Sequence, residues 1–412
     1  MTVQNIRVAV IGGGYAGVLA ANRLHAEAGF AVTLVNPRPR FVERIRLHQL
    51  AAGNDDATEA YDTLLGDRVR LLVDGAERID AAARRVHLTS GATLDYDYLI
   101  YAVGSTGGVP AAVPGAAEFA YPLSEFEQAD RLRNRLQDVA LGAPVVVVGG
   151  GLTGIEAAAE FAERGRRVTL VTDVVGASLG ESGRRSVVKA LTRLGVSIID
   201  GPDILVAAVE PDAVVMADGN RLPSAVTVWT TGFGVPGLAA ASGLTTDELG
   251  RLLTDETLTT VDDPRIVAAG DAASPSGIPL RMSCQSAGPL GIQAANTVLA
   301  RINGTEPAVI NQAFAGQCVS IGRDLGTVQF CHSDDSPRKI YLGGRTGAYV
   351  KESVCRATLW TIRREAAKPG SYFWFRGENR QRQLAEARLE TLVGADARSK
   401  TIGADARSKT VS

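Results

Sequence analysis

Two glycine triplets stand out among the residues whose type and spacing can do chemistry: Gly12-x-Gly14-x-x-Gly17 and Gly149-x-Gly151-x-x-Gly154. In such a loop the first glycine permits a tight turn, the second lets the backbone approach a pyrophosphate, and the third lets a helix pack closely on a strand. The phosphate then rests on unpaired N–H groups at the positive end of the helix dipole. Each triplet therefore reads as a dinucleotide site, with Tyr15 and Ala16 inside the first loop as further candidate contacts. A ribose-binding side chain, usually acidic, is expected at the end of the strand that follows the helix. Asn36 and Thr172 occupy that position, 24 residues after Gly12 and 23 after Gly149. The Asn36 amide can hydrogen-bond a ribose hydroxyl, but without the strength a charge would add. Thr172 is followed by Asp173, and no arginine comes next to hold a 2′-phosphate.

Other polar residues admit two readings. Arg38, Arg40 and Arg44 follow Asn36 closely and either face a bound phosphate or form a solvated loop. Glu156 lies two residues beyond Gly154. The helix dipole favours a carboxylate there by ~0.3–1 kcal/mol, so a well-placed helix charge explains it as readily as chemistry does. The four cysteines, Cys284, Cys318, Cys331 and Cys355, lie in the last third and form no CxxC-like pair. That argues against a zinc site or a disulfide scaffold, leaves no metal centre to expect, and fits a reducing compartment. A net charge of −2 gives no reason to expect nucleic acid as a partner.

The elements that must position these residues are legible as a repeat. Ile6–Ile11 reads as a buried strand, Tyr15 to about Ala28 as a helix, and Val32–Val35 as the next strand. Val145–Val148, a helix to about Arg164 and Val168–Val171 repeat the unit. The duplication predicts two dinucleotide-binding folds in one chain. Leu71–Thr89 and Thr93–Val103 read as sheet segments, Arg131–Val139 as a helix, and Val214–Thr230 as a hairpin followed by a strand. A length of 412 residues suits two or three domains, and 45% hydrophobic with 21% charged residues suits a soluble globular chain. Val8–Leu24 is not read as a signal peptide, because its glycines serve the loop and no cleavage-type site ends it. No apolar stretch reaches transmembrane length.

Further segments carry a family resemblance. Asp97-Tyr-Leu-Ile-Tyr-Ala-Val-Gly-Ser105, with Gly104, is similar to the segment that closes the first lobe of flavoproteins with two dinucleotide-binding domains. Trp229-Thr-Thr-Gly-Phe233, with Gly232, looks like their return strand between the two domains. Arg265-Ile-Val-Ala-Ala-Gly-Asp-Ala272, with Gly270, resembles the motif whose aspartate, here Asp271, holds the ribityl chain of FAD. With the motifs in the expected order, residues 6–300 resemble the FAD-dependent pyridine nucleotide oxidoreductase superfamily. The resemblance implies FAD on the first triplet and NAD(P)H on the second, with NADH favoured by Thr172 and Asp173.

Within that superfamily the chain most resembles the cysteine-free type II NADH dehydrogenases, or NADH:quinone reductases. Disulfide reductases and peroxidase-type relatives carry cysteine where this chain reads Phe41-Val-Glu-Arg-Ile-Arg-Leu-His-Gln-Leu50, so no thiol–flavin relay is available there. Sulfide:quinone reductases need a cysteine earlier than any here, and the FxGxxxHxxxW pattern of related monooxygenases is absent. Gly149-Gly-Gly-Leu-Thr-Gly-Ile-Glu156 matches GGGxTGxE, which implies a place for Glu156 between nicotinamide and acceptor, as a proton relay. His48 stands where relatives place a redox cysteine, implying a position where it tunes the flavin or gives a proton. A structural histidine is the plainer alternative. Ser283-Cys-Gln-Ser-Ala-Gly288 corresponds to a segment lining the quinone pocket, in which Gln285 matches and Cys284 replaces an alanine. Gln317-Cys-Val-Ser-Ile-Gly-Arg323 and Gly347-Ala-Tyr-Val350 are similar to the family's C-terminal domain.

The expected architecture is α/β, with two Rossmann-like dinucleotide-binding domains, the NAD(P) domain inserted in the FAD domain, and a smaller C-terminal α+β domain. Expected boundaries are 1–110 and 233–300 for the FAD domain, 111–232 for the NAD(P)H domain, 301–390 for an acceptor or interface domain, and 391–412 for a tail. The expected activity passes electrons from NAD(P)H through FAD to a quinone-type acceptor. A reductase serving a ferredoxin or rubredoxin, and a tailoring oxidoreductase for one small molecule, share every motif to residue 300 and stay open. Lys351–Arg376 mixes Lys351, Arg356, Arg363, Arg364, Lys368 and Arg376 with Trp360 and the run Tyr372–Phe375. That suits a peripheral membrane contact, and equally a solvated helix followed by aromatics packed on the core. The expected location is cytoplasmic, with or without attachment to the inner face of the membrane; a homodimer is admitted rather than required. Residues 393–401 (VGADARSKT) recur at 402–410 as IGADARSKT, too short and polar for a core and read as a mobile tail.

Overall fold

The computed structural model describes residues 5–387 and 389; the terminal nonapeptide repeat lies outside them. Along the chain run β1 (Ile6–Ile11), α1 (Tyr15–Leu24), β2 (Phe30–Asn36), α2 (Leu47–Ala52), β3 (Val69–Val73) and β4 (Tyr98–Tyr101). There follow β5 (Ala120–Pro122), α3 (Phe126–Asp138), β6 (Pro144–Val148), α4 (Leu152–Glu163), β7 (Arg167–Thr172), α5 (Glu181–Arg193), β8 (Ser197–Asp200) and β9 (Val226–Trp229). The last part holds β10 (Ile266–Ala268), α6 (Cys284–Ile302), β11 (Gly316–Ile321), β12 (Leu325–Cys331), β13 (Pro337–Gly343) and α7 (Gly344–Ala367).

Two five-stranded parallel sheets share the order of four strands and differ in the edge strand, which comes last in sequence in the first sheet and first in the second. The first has the order β10-β4-β1-β2-β3 and the second β5-β9-β6-β7-β8. The whole second sheet falls between β4 and β10 in sequence, so one α/β fold is inserted in the other. Each sheet also reaches its β4 or β9 strand through a three-stranded antiparallel meander. In the first it is Ala76–Asp80, Arg85–Leu88 and Thr93–Asp95; in the second it is Val206–Val209, Ala213–Met216 and Arg221–Pro223.

The unbroken apolar runs follow from burial on both sheet faces. In β1, Val8 and Val10 join one apolar cluster while Ala9 and Ile11 join another. In β6, Val145 and Val147 face one cluster and Val146 and Val148 the next. Each fully buried Val or Ile contributes roughly 1.5–3 kcal/mol, so the central strands fix the sheet before any loop is considered. The antiparallel sheet β11-β12-β13 and the long helix α7 complete the chain, with α4 and α5 packed against that sheet.

Two helix limits differ from the sequence reading. The first helix ends at Leu24 rather than near Ala28, because the chain must turn through Gly29 (φ +86°) to feed β2. The helix expected from Arg131 starts at Phe126, where Glu125 and Gln128 form a reciprocal capping box. Among the described residues no helix is long and apolar enough to cross a membrane, and no group of ligating side chains forms a metal site.

Candidate functional site

Parallel register delivers each glycine loop to the carboxyl end of its sheet, β1 pairing Ile11 with Val35 and β6 pairing Val148 with Val171. Gly12 has φ +107°, and a Cβ there would lie 2.3 Å from the Ala102 carbonyl oxygen; one on Gly17 would lie 1.9 Å from that of Gly12. Gly149 (φ +114°) and Gly154 repeat this, the latter 1.9 Å from the Gly149 oxygen. The middle glycines differ. A Cβ on Gly14 or Gly151 would meet no protein atom within 4 Å, and each residue caps its helix without a side-chain hydrogen bond. The fold itself thus demands the outer glycines and leaves open space at the inner ones, where the helix N–H groups await an anion. Both loops fit a dinucleotide pyrophosphate.

The residues at the ribose position brace the loops. Gly13 N–H donates to Asn36 Oδ1 at 3.0 Å, and Gly150 N–H donates to Thr172 Oγ1 at 2.9 Å. The other end of the Asn36 amide donates to the Arg38 carbonyl at 2.8 Å, so both ends of that amide are held by backbone. Arg38 is spent on Glu125 and Glu127, and Arg40 bonds Thr58. Arg44 turns inward instead, donating to the Ser105 carbonyl at 2.7 Å and to Ser105 Oγ at 3.1 Å.

Ser105 links Arg44 to Asp271, donating from Oγ to Asp271 Oδ2 at 2.6 Å. Gly104 and Gly270, at φ +71° and +72°, shape the two loops that meet here. Asp271 Oδ1 is buried without a hydrogen-bond partner, although the Ser283 amide lies near enough to favour the charge. Burial pushes the Asp271 carboxyl up, and Ser105 and Arg44 only partly oppose it. The Tyr15 hydroxyl is likewise buried and unpaired. An orphaned carboxylate oxygen beside an open glycine loop is what a ribityl hydroxyl would satisfy, so the FAD expected there fits these residues. Gly232 (φ +77°) lies where β9 returns toward this region.

A buried charged cluster forms where α4 meets α2, β11 and α7. Glu156 projects from α4, and its Oε1 accepts from Ser320 N at 3.0 Å and Ser320 Oγ at 3.2 Å, with Lys351 Nζ 3.1 Å away. His48 Nδ1 lies 3.5 Å from Glu156 Oε2, and His48 Nε2 lies 3.4 Å from Ser320 Oγ. Burial alone would raise the Glu156 carboxyl, but Lys351 and then His48 outweigh it and hold it below the usual range. Burial lowers His48 to about 4 against the pull of Glu156, so the imidazole is neutral at pH 7. Burial opposes the charge on Lys351, and Glu156 more than restores it. The cluster therefore holds a carboxylate, an ammonium that beside Glu156 keeps its proton more firmly than usual, and a neutral imidazole. Further along α4, Glu160 pairs with Arg323 and Asn54, and the Arg323 N–H donates to Glu163. One face of α4 is thus a seam of three glutamates against the β11–β12 turn.

Glu156 and His48 were both anticipated, whereas Ser320 was missed and Lys351 was grouped with surface cations. Lys351 is 9% exposed, which corrects that grouping. Gly347, Lys351, Cys355 and Ile362 share the inward face of α7, and that spacing is the signal the sequence offered. The rest of the segment also divides. Glu365, fully buried, accepts from Gly370 N and Tyr372 N at 2.7 Å each and folds the chain back, so Tyr372 and Trp374 pack near α1 and α6. Trp360, Phe373 and Phe375 stay more than half exposed, at 56%, 75% and 59%.

Gln285 stands apart from the cluster and shares no hydrogen bond with Glu156 or His48. Its Oε1 accepts from Arg281 at 3.3 Å, and Arg281 pairs with Asp335. Pro289 has no N–H to give to the Gln285 carbonyl, and Gln312 Nε2 donates to it instead at 2.9 Å. All four cysteines are free, and burial pushes each thiol up, away from the reactive thiolate.

Comparison with known proteins shows the family and the fold. The model of the pyridine nucleotide-disulphide oxidoreductase family matches residues 6–317. The chain is 32% identical over 385 residues to an NADH dehydrogenase-like protein of Mycobacterium tuberculosis, covering 84% of this chain and 92% of that protein. It is 28% identical over 323 residues to an alternative NAD(P)H-ubiquinone oxidoreductase of Arabidopsis thaliana, covering 65% and 61%. Among solved structures, the sulfide:quinone oxidoreductase of Aquifex aeolicus shares the fold with a TM-score of 0.73 at 22% identity, covering 87% of this chain and 92% of that one.

Proposed function

This chain belongs to the pyridine nucleotide-disulphide oxidoreductase family, and on that footing we propose that it reduces a quinone with NADH. An FAD-dependent NAD(P)H oxidoreductase is the broader class, and FAD and NAD(P)H are its cofactor and electron donor. The acceptor is the proposed part, and the buried Glu156–Lys351–His48–Ser320 cluster is the observation that carries it. Reducing a quinone to a quinol with NADH consumes the hydride and one solvent proton, so an acidic group must stand at the acceptor. A thiol relay would need a cysteine pair, which the chain lacks near residue 45, and a one-electron protein acceptor would need no buried acid.

Bound FAD supplies the two-electron carrier between nicotinamide and quinone. The chain's own residues hold and exchange the proton. Gly12–Gly17, Asp271 and Arg44 seat the cofactor, and Gly149–Gly154 seats the NADH pyrophosphate. Asp173, exposed beside Thr172, would repel a 2′-phosphate and so favours NADH. Glu156 relays a solvent proton toward the acceptor, and Lys351 holds the position and balances the charge of that carboxylate. His48, neutral at pH 7, is an empty proton site on the other Glu156 oxygen and offers a refill route. Gln285 contributes to the acceptor pocket from the α6 end. The exposed Trp360, Phe373 and Phe375, with Arg363 and Arg364 beside them, favour contact with an anionic membrane surface where such a quinone resides.

Stopped-flow separation of the two half-reactions tests this reading. Glu156→Gln is expected to leave flavin bleaching by NADH within about threefold and to slow reoxidation by menadione by ~10²–10³-fold. Equal slowing of both steps, or faster turnover with ferredoxin than with menadione, would sink it.

A further inference from the structure

A groove of about 720 Å³ separates α5 from the C-terminal sheet, a volume within the usual range for small-molecule sites. Ile321 lines it and alternates along β11 with Ser320, so it opens on the sheet face opposite the Glu156 cluster. One wall is cationic. Arg185, Lys189 and Arg193 recur every four residues on one face of α5 and span about 12 Å at 1.5 Å per residue. The hydroxyls of Ser182 and Ser186 belong to the same wall, and no Asp or Glu lines the groove. Glu181 pairs with Arg185. Among the described residues neither Lys189 nor Arg193 has an ion-pair partner, and the same holds for Arg338, Lys339 and Arg345 around the facing strand. In a chain of net charge −2, this is a local concentration of positive charge of which, among the described residues, only Arg185 is ion-paired.

The facing wall is apolar and aromatic. Ile321 and Leu325 line it beside the ring of Tyr341, which is 38% exposed. A Cβ on Gly343 would lie 3.1 Å from that ring and 3.2 Å from Ser186 Oγ, so the bare glycine keeps the two walls close. Cations and hydroxyls opposite an exposed ring match an anion joined to a flat apolar body, with charge-assisted bonds on one side and stacking on the other. We infer that this groove binds a nucleoside di- or triphosphate, its phosphates along α5 and its base on Tyr341. It is separate from both glycine loops and does not depend on which acceptor the enzyme uses.

Calorimetric titration of the FAD-loaded protein, saturated with NAD⁺ so that the second glycine loop is filled, provides the test. GTP is expected to bind once per chain. Lys189→Glu with Arg193→Glu should weaken it at least tenfold without changing flavin reduction by NADH. Tyr341→Ala should weaken GTP about tenfold and leave inorganic triphosphate unaffected. No GTP binding at millimolar concentration, binding indifferent to the charge reversals, or equal affinity for triphosphate and GTP would each overturn the assignment. Binding of polyglutamate but not GTP, dependent on Lys189 and Arg193, would overturn it in favour of an acidic protein.

Discussion

Lys351→Met isolates what the buried pair does for the protein. The substitution keeps the length and apolar stem of the side chain and removes the ammonium 3.1 Å from Glu156. Breaking a buried pair strands the remaining charge at a cost of about 3–5 kcal/mol. Glu156 keeps two bonds from Ser320, which places the expectation at the low end, about 3 kcal/mol. The stranded carboxylate also has an escape, because it can take a proton. In the native protein its pKa lies below the unfolded value, so its stabilisation is present above the unfolded pKa and is lost only as pH falls through the folded one. In the variant the folded pKa lies above the unfolded one and the sign reverses, so the penalty is full at high pH. It shrinks by about 1.4 kcal/mol per pH unit below the new folded pKa. The loss relative to wild type should therefore be about 3 kcal/mol at pH 8 and nearer 1 kcal/mol at pH 5. In thermal melts of the holoprotein, a chain of 412 residues, that is roughly 3–4 °C at pH 8. Adding Glu156→Gln should recover most of the loss, since a neutral buried pair has no charge to strand. A loss independent of pH, or a double variant as unstable as the sum of the singles, would refute the assigned charge states.

Three other outcomes follow from the geometry. Gly17→Ala should abolish soluble expression, because its Cβ would lie 1.9 Å from the Gly12 oxygen, whereas Gly14→Ala should fold and retain FAD about tenfold less tightly on gel filtration. His48 stays neutral in the fold down to about pH 4 while the unfolded chain binds that proton near 6.5. Stability should thus fall by at most about 3 kcal/mol between those values as pH drops, and His48→Gln should flatten the profile of urea midpoint against pH. Trp360→Ser with Phe373→Ser should cut sedimentation with phosphatidylglycerol vesicles severalfold and leave menadione turnover in solution unchanged; undiminished sedimentation would remove the membrane contact from these residues.

How much was legible in the sequence depended on how local each constraint is. The glycine loops were readable because a Cβ on Gly17 would collide with the Gly12 carbonyl only five residues away, and the two strand runs because burial on both faces leaves no polar position to disguise them. Glu156 was visible for the same reason, one helix turn from its loop. Its surroundings were not, since His48, Ser320 and Lys351 arrive from α2, β11 and α7, and no periodicity relates them. Lys351 was misread because a basic residue in a basic, aromatic stretch looks solvated until the inward face of α7 is known. The bond that the Gly13 amide gives to Asn36 was not legible, because that partner becomes apparent only when the loop is folded.

The sequence of α7 carries a mechanical consequence. Lys351 bonds Glu156 in the inserted sheet's helix, while the next residue, Glu352, holds Arg46 at 3.0 Å in the segment that leads to His48 in the outer lobe. Neighbouring residues on a helix point about 100° apart, so one rigid rod is pinned to both lobes by adjacent side chains. Separating the lobes then means snapping a buried ion pair on one side or dragging the rod along from the other. Hinge opening by a free swing of the nucleotide domains is disfavoured in such a molecule. Any motion of one lobe relative to the other is then transmitted directly to the Lys351 ammonium.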